Sequence, residues 1–124
     1  MVTAALLGVV TLAGAAAAQP PSPLGDWARG DGKARVRVEL CGQELCAVNT
    51  WIRPGVTDEK VGDMLVMYVS PAGASAFTGE AWDPQRRLTF SMRLAVGERT
   101  MTTHGCMLAG LLCKDMDWIR LDAR

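Results

Sequence analysis

The feature that most constrains this chain is a two-residue rhythm. ARVRVEL, residues 34–40, sends Val36, Val38 and Leu40 one way and Arg35, Arg37 and Glu39 the other. RLTFSMRLAV, residues 87–96, sets Leu88, Phe90, Met92 and Leu94 against Thr89, Ser91 and Arg93. Side chains alternate across a strand, so such runs are half-buried β-strands. CAVNTWI (46–52), DMLVMYVS (63–70), AFTGEAW (76–82), TMTTHGCM (100–107) and DWIRLD (117–122) add further runs. With a short strand around Gly25-Asp26-Trp27, the expected count is about eight. No window supports an amphipathic helix longer than two turns, and VTDEKVGD (56–63) reads as a loop or a short helix. Short strands at near-regular spacing with tight turns predict an all-β domain: an up-and-down antiparallel barrel or a sandwich. A barrel has the advantage of leaving no sheet edge.

The first segment lies outside this pattern. MVTAALLGVVTLAGAAAA, residues 1–18, has no charged side chain and ends in small residues, Ala16-Ala17-Ala18. The apolar run and the small residues fit a cleaved secretory signal, whose usual basic start is supplied here only by the terminal amine; an uncleaved anchor is the alternative. Its apolar stretch is shorter than the ~20 residues of a spanning helix. Residues 19–23, QPPSP, form a proline-rich linker that cannot continue a helix. The expected organisation is a signal over 1–18, a linker over 19–23 and one barrel domain over 24–124. The expected location is periplasmic or secreted, with no stable membrane span after cleavage.

Four cysteines follow: Cys41, Cys46, Cys106 and Cys113. An even number in a small chain with such a leader favours disulfides. Zinc sites more often separate the cysteines of a pair by two residues. Three pairings exist; the local one, Cys41–Cys46 and Cys106–Cys113, suits two short loops. Cys41 opposite Cys46 sets Leu40 opposite Ala47, Val38 opposite Asn49 and Val36 opposite Trp51. Trp51 then points inward, and Asn49 needs partners or a wet cavity. Within GCMLAGLLC, residues 105–113, Met107, Leu108, Leu111 and Leu112 are expected to cover one barrel end.

Thirteen basic and 13 acidic residues balance. Nothing in that charge favours nucleic acid or an anionic membrane surface. There is no Gly-x-Ser-x-Gly, phosphate loop or His-Glu-x-x-His. His104 is the lone histidine and reads as a strand residue on a polar face, because a metal needs several converging ligands. Asp58-Glu59 and Asp115/Asp117 read as solvated surface, and Asp83 before Pro84 as a turn former. No catalytic residue, metal or cofactor is expected. The four tryptophans and seven methionines suit either a core or a soft pocket. Candidate pocket residues are Asn49, Trp51, Tyr68, Phe90 and Met92. The favoured function is non-enzymatic binding of a small, largely apolar ligand. The alternative is an envelope interaction module with a filled core, MLAGLL being its partner surface and its protein partner undefined. An enzyme is least favoured; Asp83 within hydrogen-bonding reach of His104 would revive it.

Several segments also carry a resemblance. They are Trp27 with Arg29-Gly30-Asp31-Gly32-Lys33-Ala34-Arg35-Val36 and Val38, then CGQELCAVNTW, VGDMLV, AWDPQRRLTFS and GCMLAGLLCKDMDWIRL. Together they resemble an uncharacterised family of secreted bacterial proteins, domain of unknown function number 2147, over roughly residues 24–121. Arg87, Phe90 and His104 depart from the residues common there. The resemblance implies a lipocalin-like barrel of unassigned function. Gly25-Asp26-Trp27 is similar to the Gly-x-Trp opening of lipocalin barrels. That likeness implies Trp27 plugging one end beneath Arg120 of the last strand, a cation–π contact worth ~0.5–2 kcal/mol.

Overall fold

A computed structural model of the chain describes residues 3–5, 8–9 and 21–121. The leader assigned to residues 1–18 falls largely outside these, as do residues 19–20 and 122–124. Eight strands follow one another: β1 Gly25–Arg29, β2 Ala34–Cys41, β3 Glu44–Ile52, β4 Met64–Pro71, β5 Ala76–Asp83, β6 Leu88–Val96, β7 Thr100–Met107 and β8 Leu112–Arg120. Each pairs antiparallel with the next, and β1 pairs with β8, so the sheet closes into a barrel. The segment 56–63 is a loop with turns.

Alternation decides what lies inside. Val36 and Val38 of β2, Met67 of β4, Ala81 of β5, Leu94 and Val96 of β6 and Met101 of β7 form the buried core around Trp27. Trp27 is wholly buried and Leu94 nearly so. The Arg120 guanidinium lies 4.2 Å from the Trp27 ring centroid. It also donates to the carbonyls of Ser22, Leu24 and Glu98. Trp27 Nε1 donates to Pro23 O at 2.9 Å. Trp27 and Arg120 therefore close the barrel end that carries the β2–β3, β4–β5 and β6–β7 turns.

Both local disulfides form, Cys41–Cys46 and Cys106–Cys113. The first hairpin corrects the sequence-based register. Cys41 faces Glu44, Val38 faces Ala47 and Val36 faces Asn49. The loop is two residues long because Gly42 adopts φ 69°, as a tight turn with glycine first requires. Cys41 and Cys46 are then diagonal neighbours rather than opposite. The register shifts again between Arg35 and Val36, leaving Thr50 unpaired and Trp51 opposite Arg35. A bulge of one residue flips the following side chain to the other face. Trp51 accordingly points outward, stacked under Arg35 with 4.9 Å between guanidinium and ring centroid. Leu40, expected inside with Val36 and Val38, is 65% exposed beyond the barrel rim.

The β7–β8 hairpin projects furthest at the opposite end. β1 reaches β8 only at 118–120, and Gly30 N–H donates to Asp117 O. Among the described residues, 112–116 of β8 thus have no strand neighbour on that side. Leu108, Ala109 and Gly110 at the tip all adopt positive φ, uncommon for non-glycine residues. Leu108 and Leu111 are 66% and 82% exposed. They do not cover the barrel end, because the left-handed turn carries them past it.

Trp27→Ala should cost ~3–5 kcal/mol of stability in urea denaturation, the range for emptying a large aromatic from a core. Reducing both disulfides should lower Tm, since closing such short loops contributes roughly 2–2.5 kcal/mol each in the chain-entropy model. A chelator should leave Tm unchanged.

Candidate functional site

With one end plugged, access to the interior lies at the other. That end carries the loops at 30–33 and 53–63 and the turns at 84–87 and 108–111. Two connected spaces occupy it. A cavity of about 220 Å³ reaches between Val38, Ala47, Met67 and Leu94. A more open cleft of about 350 Å³ runs along β6–β8, lined by Leu88, Met107, Leu112 and Met116. Phe90, Met92, Thr103 and Trp118 line both. Gly105 lets the Phe90 ring pack closely on β7, because a Cβ there would sit 3.1 Å from that ring. Two cations border the cleft, Lys114 and Arg29, the latter engaged by Glu59 and Asp31.

The walls are apolar because these positions share one strand parity. The polar groups among them are satisfied. Thr103 Oγ1 accepts from Trp118 Nε1 at 3.0 Å. Asn49, 9% exposed, donates through Nδ2 to Lys60 O and Glu59 Oε1. Its backbone N–H donates to Asp63 O, and its carbonyl accepts from Gly62 N–H. Asn49 is therefore the peg from which the 53–63 loop hangs over the cavity.

Ion pairs fix that loop in place. Arg29, at the end of β1, grips Glu59 through two bonds at 2.8 and 2.5 Å and reaches Asp31 at 3.0 Å. The bond from Arg29, helped by its charge, holds the Glu59 carboxyl below the usual range against the opposing effect of burial. Arg29 is raised, chiefly by the bond to Glu59. On the far side, Asp83 caps the 84–87 turn by accepting from Gln85 N–H and Arg86 N–H. Burial pushes the Asp83 carboxyl up, but the bonds from Arg86 and Gln85 outweigh it and hold the group low. Arg86 then donates to Asp58 O at 2.6 Å, and Gln85 clips both backbone groups of Met64.

Of the pocket residues expected from sequence, Asn49, Phe90 and Met92 line the cavity. Trp51 and Tyr68 do not. Trp51 is turned out by the bulge. Tyr68 follows the inward Met67, so strand parity turns it out, and it is 51% exposed. Met107 and Leu112 wall the cleft instead of covering the end. Glu59 is no solvated surface carboxylate, being gripped by Arg29. Trp118 and Met116 belong to the tryptophan and methionine sets that suit a core or a soft pocket, and both line the cleft; Thr103 and Gly105 carry no such signal in the sequence. Trp118 was accessible to reasoning, since it lies two residues from Arg120 and shares its face.

On the outer face, His104 does not approach Asp83. It sits beside Asp115, with Nδ1 bonded to the carboxylate, while Nε2 lies 3.2 Å from Cys106 Sγ. His104, Cys106 and Cys113 form a compact donor group. Thiolates are what bind zinc, and both sulfurs here are joined in a disulfide.

These features define a small closed antiparallel barrel, plugged at one end and opening through an apolar cleft at the other. The chain belongs to the bacterial family described as "Uncharacterized protein conserved in bacteria (DUF2147)", which matches residues 25–120. No curated protein and no solved structure matches it significantly.

A carboxylate held low in the folded state stabilises that state above its unfolded pKa and loses the effect as pH falls through its folded pKa. Stability should therefore decline as pH drops below about 4.5, the ordinary value for Glu59. Glu59→Gln should lower Tm at neutral pH and flatten this acid dependence, as followed by thermal melts across pH 2–7.

Proposed function

We propose that this protein is a non-enzymatic binder of a small, largely apolar ligand, acting in the periplasm or outside the cell. The observation that carries the reading is the apolar space at the unplugged end. Its 350 Å³ cleft and 220 Å³ inner cavity together fall in the ~300–1,000 Å³ range of ligand sites. Phe90, Met92 and Trp118 are large, polarisable walls suited to an alkyl or aromatic body. Lys114 at the rim is placed to meet the ligand's polar end. The leader pattern and the two disulfides support an oxidising compartment.

A second reading, an envelope interaction module, draws support from the exposed Leu108, Leu111 and Leu112. These leucines sit beside the cleft mouth, so an apolar lip also fits ligand delivery from a partner or a surface. The filled core of that reading is disfavoured by the cavity.

A solvatochromic naphthylamine probe should brighten on mixing with the protein, and decanoate should displace it. Met116→Trp, which narrows the cleft, should weaken probe binding by about tenfold, equivalent to ~1.4 kcal/mol. Tyr68→Ala and Trp51→Ala, altered on the outer face, should leave it unchanged. No brightening in the wild-type protein would exclude an accessible apolar site.

A further inference from the structure

The cluster of His104, Cys106, Cys113 and Asp115 lies on the outer face of β7–β8, with Cys113 alone of the four also bordering the cleft. Cys106 and Cys113 stand directly opposite each other, as do His104 and Asp115 one step along the outer face. His104 is thus held between a carboxylate and a sulfur. Its Nδ1 donates to Asp115 and its Nε2 faces Cys106 Sγ at 3.2 Å. Orientation of an imidazole by a carboxylate on one nitrogen fixes what the other presents. Cys113 is the more exposed of the two cysteines, and its Sγ touches only Gly110 O among the hydrogen-bond partners of the described residues. The bridge also closes the turn in which Leu108 and Ala109 are held left-handed.

We infer that Cys106–Cys113 is a redox-active disulfide that exchanges with thiols, with His104 stabilising the leaving sulfur and Asp115 positioning His104. An incoming thiolate attacks Cys113 Sγ, forming a mixed disulfide. The Cys106–Cys113 bond breaks, and its electron pair goes to Cys106 Sγ. Protonated His104 faces that thiolate through Nε2–H and neutralises or protonates it. A second thiolate then attacks the sulfur of the attached thiol and releases Cys113. The protein disulfide is reduced by two electrons, and two thiol molecules leave joined as one disulfide. Leaving-group stabilisation accelerates such exchange, and a neighbouring imidazolium lowers a thiol's pKa.

The surroundings suit this role. Across the outer face, Arg93 of β6 stands opposite His104, and Ser91 opposite Cys106. Asp115 faces His104 from β8, and Thr102 and Asp117 pair one step further along. Lys114 points to the cleft on the other side of the sheet. The second bridge supplies an internal reference: Cys46 is 3% exposed, and Cys41 and Cys46 make no hydrogen bond to an imidazole among the described residues.

The test is timed reduction of the intact, oxidised protein by dithiothreitol, quenched with N-ethylmaleimide and mapped by peptide mass. Cys106–Cys113 should open about tenfold or more faster than Cys41–Cys46; equal rates, or the reverse order, overturn the inference. His104→Gln should slow opening of Cys106–Cys113 by about fivefold or more while leaving Cys41–Cys46 in the same molecule unaltered. An unchanged Cys106–Cys113 rate overturns it. In protein reduced at this bridge, thiolate absorbance should rise at lower pH in the wild type than in His104→Gln or Asp115→Asn. Coincident titrations remove the roles given to His104 and Asp115.

Discussion

Closure of the barrel depends on Trp27 lying beneath Arg120. β1 is the shortest strand, and it joins β8 through only three register pairs, Trp27 with Arg120 to Arg29 with Trp118. So short a seam gains much of its strength from what packs on it. Burying an indole removes ~150–250 Å² from water, worth ~4–6 kcal/mol at 25 cal/mol per Å². The guanidinium above it spends its donors on three carbonyls, two in the segment preceding β1 and one in the β6–β7 turn. One side chain thus ties the start of the domain, its last strand and a distant turn to the same plug. A plug this complete leaves the opposite end as the entrance.

The entrance is shaped by polar contacts rather than by packing. Asn49 is one of two buried polar side chains described, and it spends its hydrogen bonds on the 53–63 loop. Arg29 and Arg86 hold the same loop from opposite sides, through Glu59 and through Asp58 O. The loop roofs the inner cavity over β2–β4. The β6–β8 side stays open because β1 stops short of residues 112–116. Roof and opening are thus both consequences of strand length and of a few hydrogen bonds.

Much of the fold was legible in the sequence, because a period-two pattern with no helical competitor leaves few architectures. The eight strands, the local disulfides and the inward Val36, Val38, Phe90, Met92 and Leu94 follow from it. The bulge at Thr50 did not, since nothing in NTW distinguishes a regular strand from one with an extra residue. That single residue misplaced Trp51. Tyr68 was ambiguous for another reason: DMLVMYVS is apolar on both faces, so alternation carries no information there. The tip leucines were misread because their composition suggests burial, whereas the turn's left-handed backbone sets their direction. Glu59 and His104 were read as isolated polar residues. Glu59 meets Arg29, 30 residues away in the chain, only through the tertiary fold, whereas His104 meets Asp115 across the β7–β8 hairpin, a pairing set by that hairpin's register.

The proposed function requires that apolar molecules enter through the β6–β8 cleft. Methyl-labelled methionine NMR addresses it directly, because Met92, Met107 and Met116 line that cleft. Titration with decanoate should shift these three methyl signals together and saturably. Methyl signals that stay fixed at saturating decanoate would contradict the account.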